Sequence, residues 1–225
     1  MPAWTSRRTI DVKLLLHPVA KPVVFALCLL PFAWLTWGAF ANTLGANPAE
    51  HLIRATGDWT LRFLCIVLAV TPLRQLAGWP ALARFRRMLG VFCWFYGAVH
   101  LLCYAWFDMG FDVPDIAADI AKRPFILVGF LGLVLLSLLA ATSFNRAIKA
   151  LGAKRWQALH RAVYAVAGLA LLHFFWMRAG KNDFGEVAIY AAILGVLLAW
   201  RLWRRFSPAA ATRRASAPAR PRARG

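Results

Sequence analysis

Two histidines in apolar surroundings, His100 and His173, are the residues of this sequence best suited to chemistry inside a membrane. Each lies in a long uncharged run, where an ionisable side chain is costly and is by default a functional candidate. Neutral imidazole is a common ligand of haem iron, and bundles build cofactor sites from side chains on facing helices. The pair therefore predicts a shared iron site, and a hydrogen-bonded core pair or a proton relay is the alternative.

A third histidine, His160, lies thirteen residues before His173. Along one helix that separation is roughly 20 Å, which is too far for both rings to bind one iron. The distance would suit a second haem near the opposite surface, although the two rings would point about 140° apart on an ideal helix unless a local bulge intervenes. A contact with a lipid headgroup or a haem propionate is the alternative for His160.

The remaining histidines are weaker candidates. His17, at the start of the first apolar run, is the only other histidine expected near the membrane surface at which His160 lies. The alternative for His17 is a position at the membrane interface without a ligand role. The third run offers Arg87 near that surface in place of a second histidine. His51, in the segment NPAEHLIRATG, is expected to be solvated in a loop.

The elements that must position these residues are membrane-spanning helices. The 225-residue chain is 61% hydrophobic, above the value typical of soluble domains. Its uncharged runs are each long enough to cross a bilayer as a helix. They predict an all-α membrane protein with a bundle of six transmembrane helices over 22–206, placed at about 23–41, 59–76, 88–107, 124–142, 157–177 and 184–203.

The basic and acidic residues are divided between the two sides of the predicted bundle. Most of the 27 lysines and arginines fall in the N-terminal segment 1–21, in the loops after the second and fourth spans, and in the tail, whereas all but one of the nine acidic residues fall on the other side. The positive-inside rule therefore places both termini in the cytoplasm. The tail, 207–225, is rich in Pro, Ala and Arg and is predicted to be disordered.

Several functional classes are not supported. The net charge of +18 is distributed in short clusters between apolar runs, so nucleic acid is not the expected partner and the lipid bilayer is. The four cysteines form neither a CxxC nor a CxxCH motif, which argues against zinc and against thioether-linked haem. Any haem would be held without thioether bonds.

Charged and small residues near the histidines form a secondary set of candidates. Arg178 and Lys181 on the outer side, and four arginines on the inner side, are candidates for haem propionates or partner docking, with plain topology charges as the alternative: Arg86, Arg87, Arg155 and Arg161. The acidic segment 108–119 is a docking candidate or a solvated loop. Six glycines in the spans would permit close helix packing or make room for a macrocycle: Gly90, Gly97, Gly129, Gly132, Gly168 and Gly195.

The chain resembles the MsrQ family, formerly YedZ, within the ferric-reductase-like transmembrane group. The resemblance covers about 13–206 and rests on LLLHPVAKPVVFALCLLPFAWLTW, RFRRMLGVFCWFYGAVHLLCY and LGAKRWQALHRAVYAVAGLALLHF. It matches His100, His160 and His173 to the haem-associated histidines of the family, and His17 to a histidine at the start of the first helix. The third helix has one histidine where two-haem relatives have two.

The resemblance also implies cofactors and partners. The family uses b-type haem, one or two per chain, with FMN as a further cofactor. It takes electrons from the quinone pool or a cytosolic flavin reductase and passes them to MsrP, a periplasmic molybdopterin reductase that repairs methionine sulfoxide in oxidised proteins. The resemblance therefore implies a multi-pass electron-transfer subunit of the bacterial inner membrane, with no catalytic residues of its own for that repair.

Three alternatives to that function stay open at the level of sequence. The first is a haem b subunit of another membrane reductase, such as a ferric reductase or a dehydrogenase anchor. The second is a transporter that uses the histidines as a proton relay without haem. The third is an assembly scaffold that would keep its function after both histidines are replaced.

Overall fold

The structure, a computed structural model, describes residues 14–180 and 182–207, and these residues are predominantly helical. Its shorter elements are a 3₁₀ turn, Pro80–Arg84, and one π-helical turn, Tyr104–Asp108. The helices in chain order are α1 Ala20–Phe40, α2 Pro48–Leu76, α3 Arg86–Cys103, α4 Val113–Lys122, α5 Pro124–Ala141, α6 Asn145–His160, α7 Val163–Ala179 and α8 Gly185–Phe206.

Six segments of the described chain are long and apolar enough to cross a bilayer, so the protein is a multi-pass membrane protein and the prediction of a six-helix bundle is confirmed. They are α1, α2, α3 with its π-helical turn, α5, α6 together with α7, and α8. The predicted disordered tail and most of the N-terminal segment lie outside the described residues. The prediction that both termini are cytoplasmic stays a prediction.

Two segments that we expected to be loops are helical. The second span begins at Pro48 and not near residue 59, because the Asn47 side chain caps it by accepting a hydrogen bond from the backbone N–H of Glu50 at 3.1 Å. His51 is therefore on a helix, where it is exposed. In the same way, Asp112 caps α4 by accepting from the N–H of Asp115 at 3.0 Å, so the interpretation of 108–119 as a solvated loop was wrong.

The fifth span is interrupted where we predicted one continuous helix over 157–177. Helix α6 ends at His160 and α7 begins at Val163, with Arg161 and Ala162 forming a turn between them. His160 and His173 are thus on different helices, so the angle calculated for one ideal helix does not apply to them. Gly152 divides α6 further, because its φ of 71° and ψ of 156° are not helical.

The bundle has two chemically different ends. At the basic end, Arg84 donates to the carbonyl of Leu15 at 2.8 Å, and the side chain of Arg87 donates to Asn145 at 2.7 Å. The acidic end is the opposite one, where α2 begins and α3 ends. It carries every carboxylate side chain of the described residues: Glu50, Asp58, Asp108, Asp112, Asp115, Asp119, Asp183 and Glu186.

The buried core is centred on the contact between α2 and α3. Tyr96 on α3 is completely buried, and its ring stacks on Phe63 of α2 with centroids 5.1 Å apart. The Tyr96 hydroxyl accepts from the N–H of Phe32 at 3.0 Å and donates to the carbonyl of Cys28 at 2.9 Å. The hydroxyl therefore joins α1 to the core beside Pro31.

The outer surface of the bundle is apolar in the way a bilayer requires. Large hydrophobic side chains are exposed on α1, including Trp34, Trp37 and Phe40, and on the last turns of α8, including Trp203 and Phe206. In water such a surface would favour aggregation, whereas in lipid it matches the solvent. Aromatic side chains near the ends of spans fit the interfacial belts of membrane proteins.

Candidate haem site

His100 and His173 meet inside the acidic half of the bundle. Their ring centroids are 6.2 Å apart, and the planes of the rings differ by 72°. His100 comes from α3 and His173 from α7, and both side chains are largely buried. The two residues that the sequence predicted to share one iron are therefore brought together, and neither imidazole is directed at lipid.

The first imidazole is held by one turn of α2. The Nδ1 of His100 is 2.8 Å from the carbonyl oxygen of Ile53. One turn further along α2, Gly57 lies against the same ring, so that a β-carbon there would be 3.2 Å from both Cε1 and Nδ1. A side chain larger than hydrogen at residue 57 would press on the imidazole.

The second imidazole is held in the same way by the first turns of α5. The Nδ1 of His173 is 2.7 Å from the carbonyl oxygen of Phe125, and the ring lies over Gly129. A β-carbon at residue 129 would be 2.8 Å from Nδ1, closer than real contacts of this kind. In both places, then, a carbonyl and a glycine four residues later form a seat for one histidine, and we call these the α2 seat and the α5 seat.

The two seats determine which ring nitrogens are available to a ligand. A carbonyl oxygen can only accept, so each Nδ1 must carry the hydrogen and donate it. In a neutral imidazole, Nε2 then keeps its lone pair, which is the form that binds a metal ion. A hydrogen bond from the opposite nitrogen to a carbonyl also fixes the orientation of a metal-binding ring and increases its basicity.

The spacing of the rings fits one haem iron between them. A metal–nitrogen bond to imidazole measures about 2 Å and the nitrogen lies about 1 Å from its ring centre, so two rings on opposite sides of one ion have centroids roughly 6 Å apart. The observed distance is 6.2 Å. No group of three or more His, Cys, Asp or Glu side chains comes together elsewhere in the described chain. Haem needs only two axial ligands from the protein, because its macrocycle supplies the others.

His160 lies apart from this pair, at the basic end. Its ring stacks on Trp156, with centroids 3.9 Å apart, and its Nε2 is 3.2 Å from the hydroxyl of Thr142. That hydroxyl donates to the carbonyl of Leu138 at 2.8 Å, so it accepts from Nε2–H of His160. No other histidine ring of the described residues contacts this one. The role of His160 as a haem ligand stays a prediction.

The other predicted residues lie at the ends of the bundle. His17 is exposed before α1, and its Nδ1 accepts from the N–H of Val19 at 3.3 Å. Arg161 is exposed in the turn between α6 and α7, and Arg87 is exposed in its contact with Asn145. None of these three is brought to the histidine pair.

Arg178 is at the acidic end, but its guanidinium already has partners. It forms ion pairs with Asp183 at 3.0 Å and with Glu186 at 2.5 Å, and it lies over the ring of Phe174. Its side chain is only 17% exposed. The arrangement joins the end of α7 to the start of α8. Lys181, the other outer cation that we considered, lies outside the described residues.

Sequence reasoning missed both seats. Gly129 was considered only as one of several small residues, and Gly57 was not considered. The sequence signal that could have found Gly57 is its place in an otherwise bulky span, between Thr56 and Asp58. The carbonyls of Ile53 and Phe125 have no sequence signal, since every residue has a carbonyl.

Known proteins resemble this chain over most of its length. Residues 56–171 match the family model described as ferric reductase like transmembrane component. A relative from Polaromonas naphthalenivorans is 68% identical over 209 residues, which is 93% of this chain and 94% of the relative. Its name is protein-methionine-sulfoxide reductase heme-binding subunit MsrQ.

Two more distant relatives carry the same name. One from Bordetella pertussis is 51% identical over 188 residues, covering 82% of this chain and 91% of its own. One from Xanthomonas campestris is 44% identical over 205 residues, covering 88% and 93%. No solved structure matches.

Proposed function

This chain belongs to the ferric-reductase-like transmembrane family, and within it to the MsrQ haem-binding subunits of protein-methionine-sulfoxide reductase, and from that premise we propose that it carries electrons across part of the membrane through haem b. His100 and His173 are the proposed axial ligands of the iron. The observation that carries the proposal is the 6.2 Å spacing of two rings whose Nδ1 atoms are each committed to a carbonyl.

The protein's contribution is to prepare the two ligands before the cofactor binds. The α2 seat and the α5 seat hold each imidazole in the neutral form with Nε2 available, so little ordering of these side chains is needed on binding. Both imidazoles are largely buried, and limited access of solvent is one of the ways a protein tunes the potential of a metal centre. When bound, haem b supplies a one-electron couple.

The direction of electron flow follows from the position of the site. We propose that the acidic end faces the periplasm of the inner membrane and the basic end the cytoplasm, because basic residues are retained on the cytoplasmic side. The histidine pair is near the acidic end, close to a periplasmic acceptor. The proposed acceptor is the molybdopterin reductase MsrP, and the proposed donor is the quinone pool or a cytosolic flavin reductase.

A haem assay with matched histidine variants tests this function. We expect the purified protein to give a b-type pyridine haemochrome and a low-spin optical spectrum. His100→Ala and His173→Ala should each abolish the low-spin signature, because one axial ligand is removed. His51→Ala is the matched control, since His51 is exposed on α2 at the same end of the bundle, and it should leave the spectrum unchanged. A protein without Soret absorption would sink the proposal and favour the proton-relay alternative.

The acceptor and the flavin require separate measurements. Reduced protein in nanodiscs should be reoxidised on addition of MsrP with a methionine sulfoxide substrate, and should not be reoxidised by ferric citrate at a comparable rate. The reverse order of rates would favour a ferric reductase. The FMN that the resemblance implies stays a prediction, which flavin fluorescence of an acid extract measures.

A further inference from the structure

A charged pair, Asp58 and Arg62, lies within α2 next to the histidine site. Asp58 directly follows Gly57, the residue that contacts His100, and Arg62 is one helical turn further along. Both belong to a membrane-spanning helix. Charged side chains within a span are costly, and they mark a functional site by default. The haem function proposed above does not use either residue.

Arg62 is partly buried and is turned toward α8. Its Nε donates to the hydroxyl of Tyr190 on α8 at 3.2 Å, and its guanidinium lies 4.7 Å from the centroid of the Trp59 ring. Tyr190 in turn packs edge-on against Phe174, the neighbour of His173. These contacts place a cation and a phenol between α2 and α8, and the phenol packs against the residue that follows the histidine of α7 in sequence.

The hydrogen-bonding capacity of this group is largely unused. The two Nη groups of Arg62 and the carboxylate of Asp58 form no hydrogen bond or ion pair with any residue in the described ranges. Both side chains are only partly buried, and no fully buried side-chain nitrogen or oxygen of the described residues lacks a partner. A ligand that arrives from the membrane can therefore reach these unused donors and acceptors.

The charges around Asp58 are mixed in sign. Arg54 and Arg62 on α2 and Arg178 on α7 attract its carboxylate, whereas Glu186 on α8 repels it. Arg178 is already committed to Asp183 and Glu186, and Arg54 is paired with Glu50. Arg62 is thus the nearby cation that keeps free donors.

An apolar cleft adjoins the same part of α2. It has a volume of about 780 Å³ and lies between α1 and α2, where it is lined by apolar side chains that include Trp34, Trp59 and Phe63. Trp59 therefore contacts Arg62 and also forms a wall of the cleft. The Trp59 ring thus connects the charged pair to an apolar cleft that is open to the surface of the bundle.

We propose that Asp58, Arg62 and Tyr190 bind the head group of a membrane hydroquinone, with the apolar tail of the ligand along the α1–α2 cleft. A hydroquinone carries two hydroxyls on an aromatic ring. One hydroxyl would donate to the Asp58 carboxylate, and the oxygen of the other would accept from Arg62. The inference rests on the proposed function and specifies the quinone pool as its electron donor.

The proton and electron balance assigns Asp58 a role beyond binding. Oxidation of one hydroquinone to the quinone breaks two O–H bonds and releases two protons and two electrons. One proton passes to the carboxylate of Asp58, and the other leaves to water at the acidic end. The two electrons would leave one at a time, each to one equivalent of ferric haem, with the acceptor of the proposed function reoxidising the haem between the two transfers. Asp58 then returns its proton to water before the next turnover.

A quinol-reduction assay in nanodiscs tests the site. Decylubiquinol is mixed with the haem-loaded protein, and the rate of haem reduction is followed optically. Asp58→Asn should slow reduction roughly tenfold or more, the effect of losing one charge-assisted hydrogen bond and the proton acceptor. Arg62→Gln should raise the quinol concentration needed for half-maximal rate. Asp115→Asn, an exposed carboxylate on α4, is the matched control and should react like the unaltered protein.

A second readout does not depend on haem. Photolabelling with an azidoquinone, mapped by mass spectrometry, should modify α2 or α8 near these residues, and Arg62→Gln should reduce the labelling. Spectra of dithionite-reduced samples show whether each variant is folded and loaded, and Arg62→Gln and Tyr190→Phe replace Asp58→Asn if that variant does not fold.

The outcomes separate this inference from the proposed function. Equal reduction rates for Asp58→Asn, Arg62→Gln and the unaltered protein, with labelling elsewhere, overturn the inference and leave quinol as donor. If decylubiquinol neither reduces the haem nor protects the protein from labelling, the inference is overturned, and so is the proposal that the quinone pool is the electron donor. In both cases a low-spin haem spectrum leaves the role of His100 and His173 standing.

Discussion

Gly129 lies directly against the imidazole of His173, so that a β-carbon at residue 129 would be 2.8 Å from Nδ1 and 2.9 Å from Cε1. Gly57 has the same relationship to His100, at 3.2 Å. The His100 ring, on α3, packs against α2, and the His173 ring, on α7, packs against α5. In both places the ring is held by the same combination of a carbonyl and a glycine. The two proposed haem ligands are therefore positioned by backbone atoms of the neighbouring helices.

The α5 seat predicts a strong effect of a single methyl group. Gly129→Ala should displace the His173 ring and cost about 1–3 kcal/mol of haem affinity, as overpacking of a rigid site does. Gly57→Ala should have a smaller effect, because its contacts are longer. Haem titration of the apoprotein, followed by the Soret band, measures both.

Gly132 provides the control for that prediction. It lies on the same helix, and a β-carbon there would meet only Leu169 at the ordinary distance of 3.6 Å. Gly132→Ala should bind haem as the unaltered protein does. If Gly129→Ala bound haem equally well, the α5 seat would have no part in positioning the ligand.

The buried hydroxyl of Tyr96 should contribute to stability and not to haem binding. Tyr96→Phe removes the hydrogen bonds of the hydroxyl with Phe32 and Cys28, at a cost of about 1–3 kcal/mol for the two together. Thermal unfolding in detergent should show a lower midpoint at unchanged haem content.

The comparison for Tyr96 is Tyr164→Phe. The Tyr164 ring is 38% exposed, and its hydroxyl forms no hydrogen bond with any other residue in 14–180 or 182–207. Its removal should leave the unfolding midpoint within error. Equal midpoints for Tyr96→Phe and Tyr164→Phe would mean that the bridge to α1 carries no net free energy.

The paired state of Arg178 predicts that it does not hold a haem propionate. Arg178→Gln removes its contacts with Asp183 and Glu186, so the connection between α7 and α8 should weaken and the unfolding midpoint should fall. Haem per protein should stay the same, with Arg54→Gln, another ion-paired arginine at the acidic end, as the comparison. A loss of haem that is specific to Arg178→Gln would restore the propionate role that the sequence suggested.

The sequence was sufficient to predict the six spans because uncharged runs of about 20 residues rarely occur outside membrane-spanning helices. It was also sufficient to pair His100 with His173, since both were expected at the same depth. It misjudged helix starts, although Asn47-Pro48 and Asp112 are recognisable capping residues. The polar sequence around each cap suggested a loop, and the local capping contacts determined the structure instead.

The details of the site could not be obtained in the same way. Which carbonyl faces a ring depends on the rotation of α2 and α5 about their axes, and that rotation is set by packing against α3 and α7. Arg62 illustrates the same limit. A lone arginine in a span can extend to the surface or turn inward, and only its contacts with Tyr190 and Trp59 show that it turns inward.

The position of His160 predicts that a change at the basic end of the bundle leaves the site of His100 and His173 unaffected. Its ring is fixed by Trp156 and Thr142 at the basic end, beyond the turn that divides α6 from α7. His160→Ala should therefore keep the low-spin signature that we assign to His100 and His173. Electron paramagnetic resonance of the oxidised protein measures that signature, and the haem-to-protein ratio of the same sample counts the cofactor. A fall of one haem per chain with the signature retained would identify His160 as a ligand of a second haem, whereas loss of the signature itself would contradict the assignment of the histidine pair.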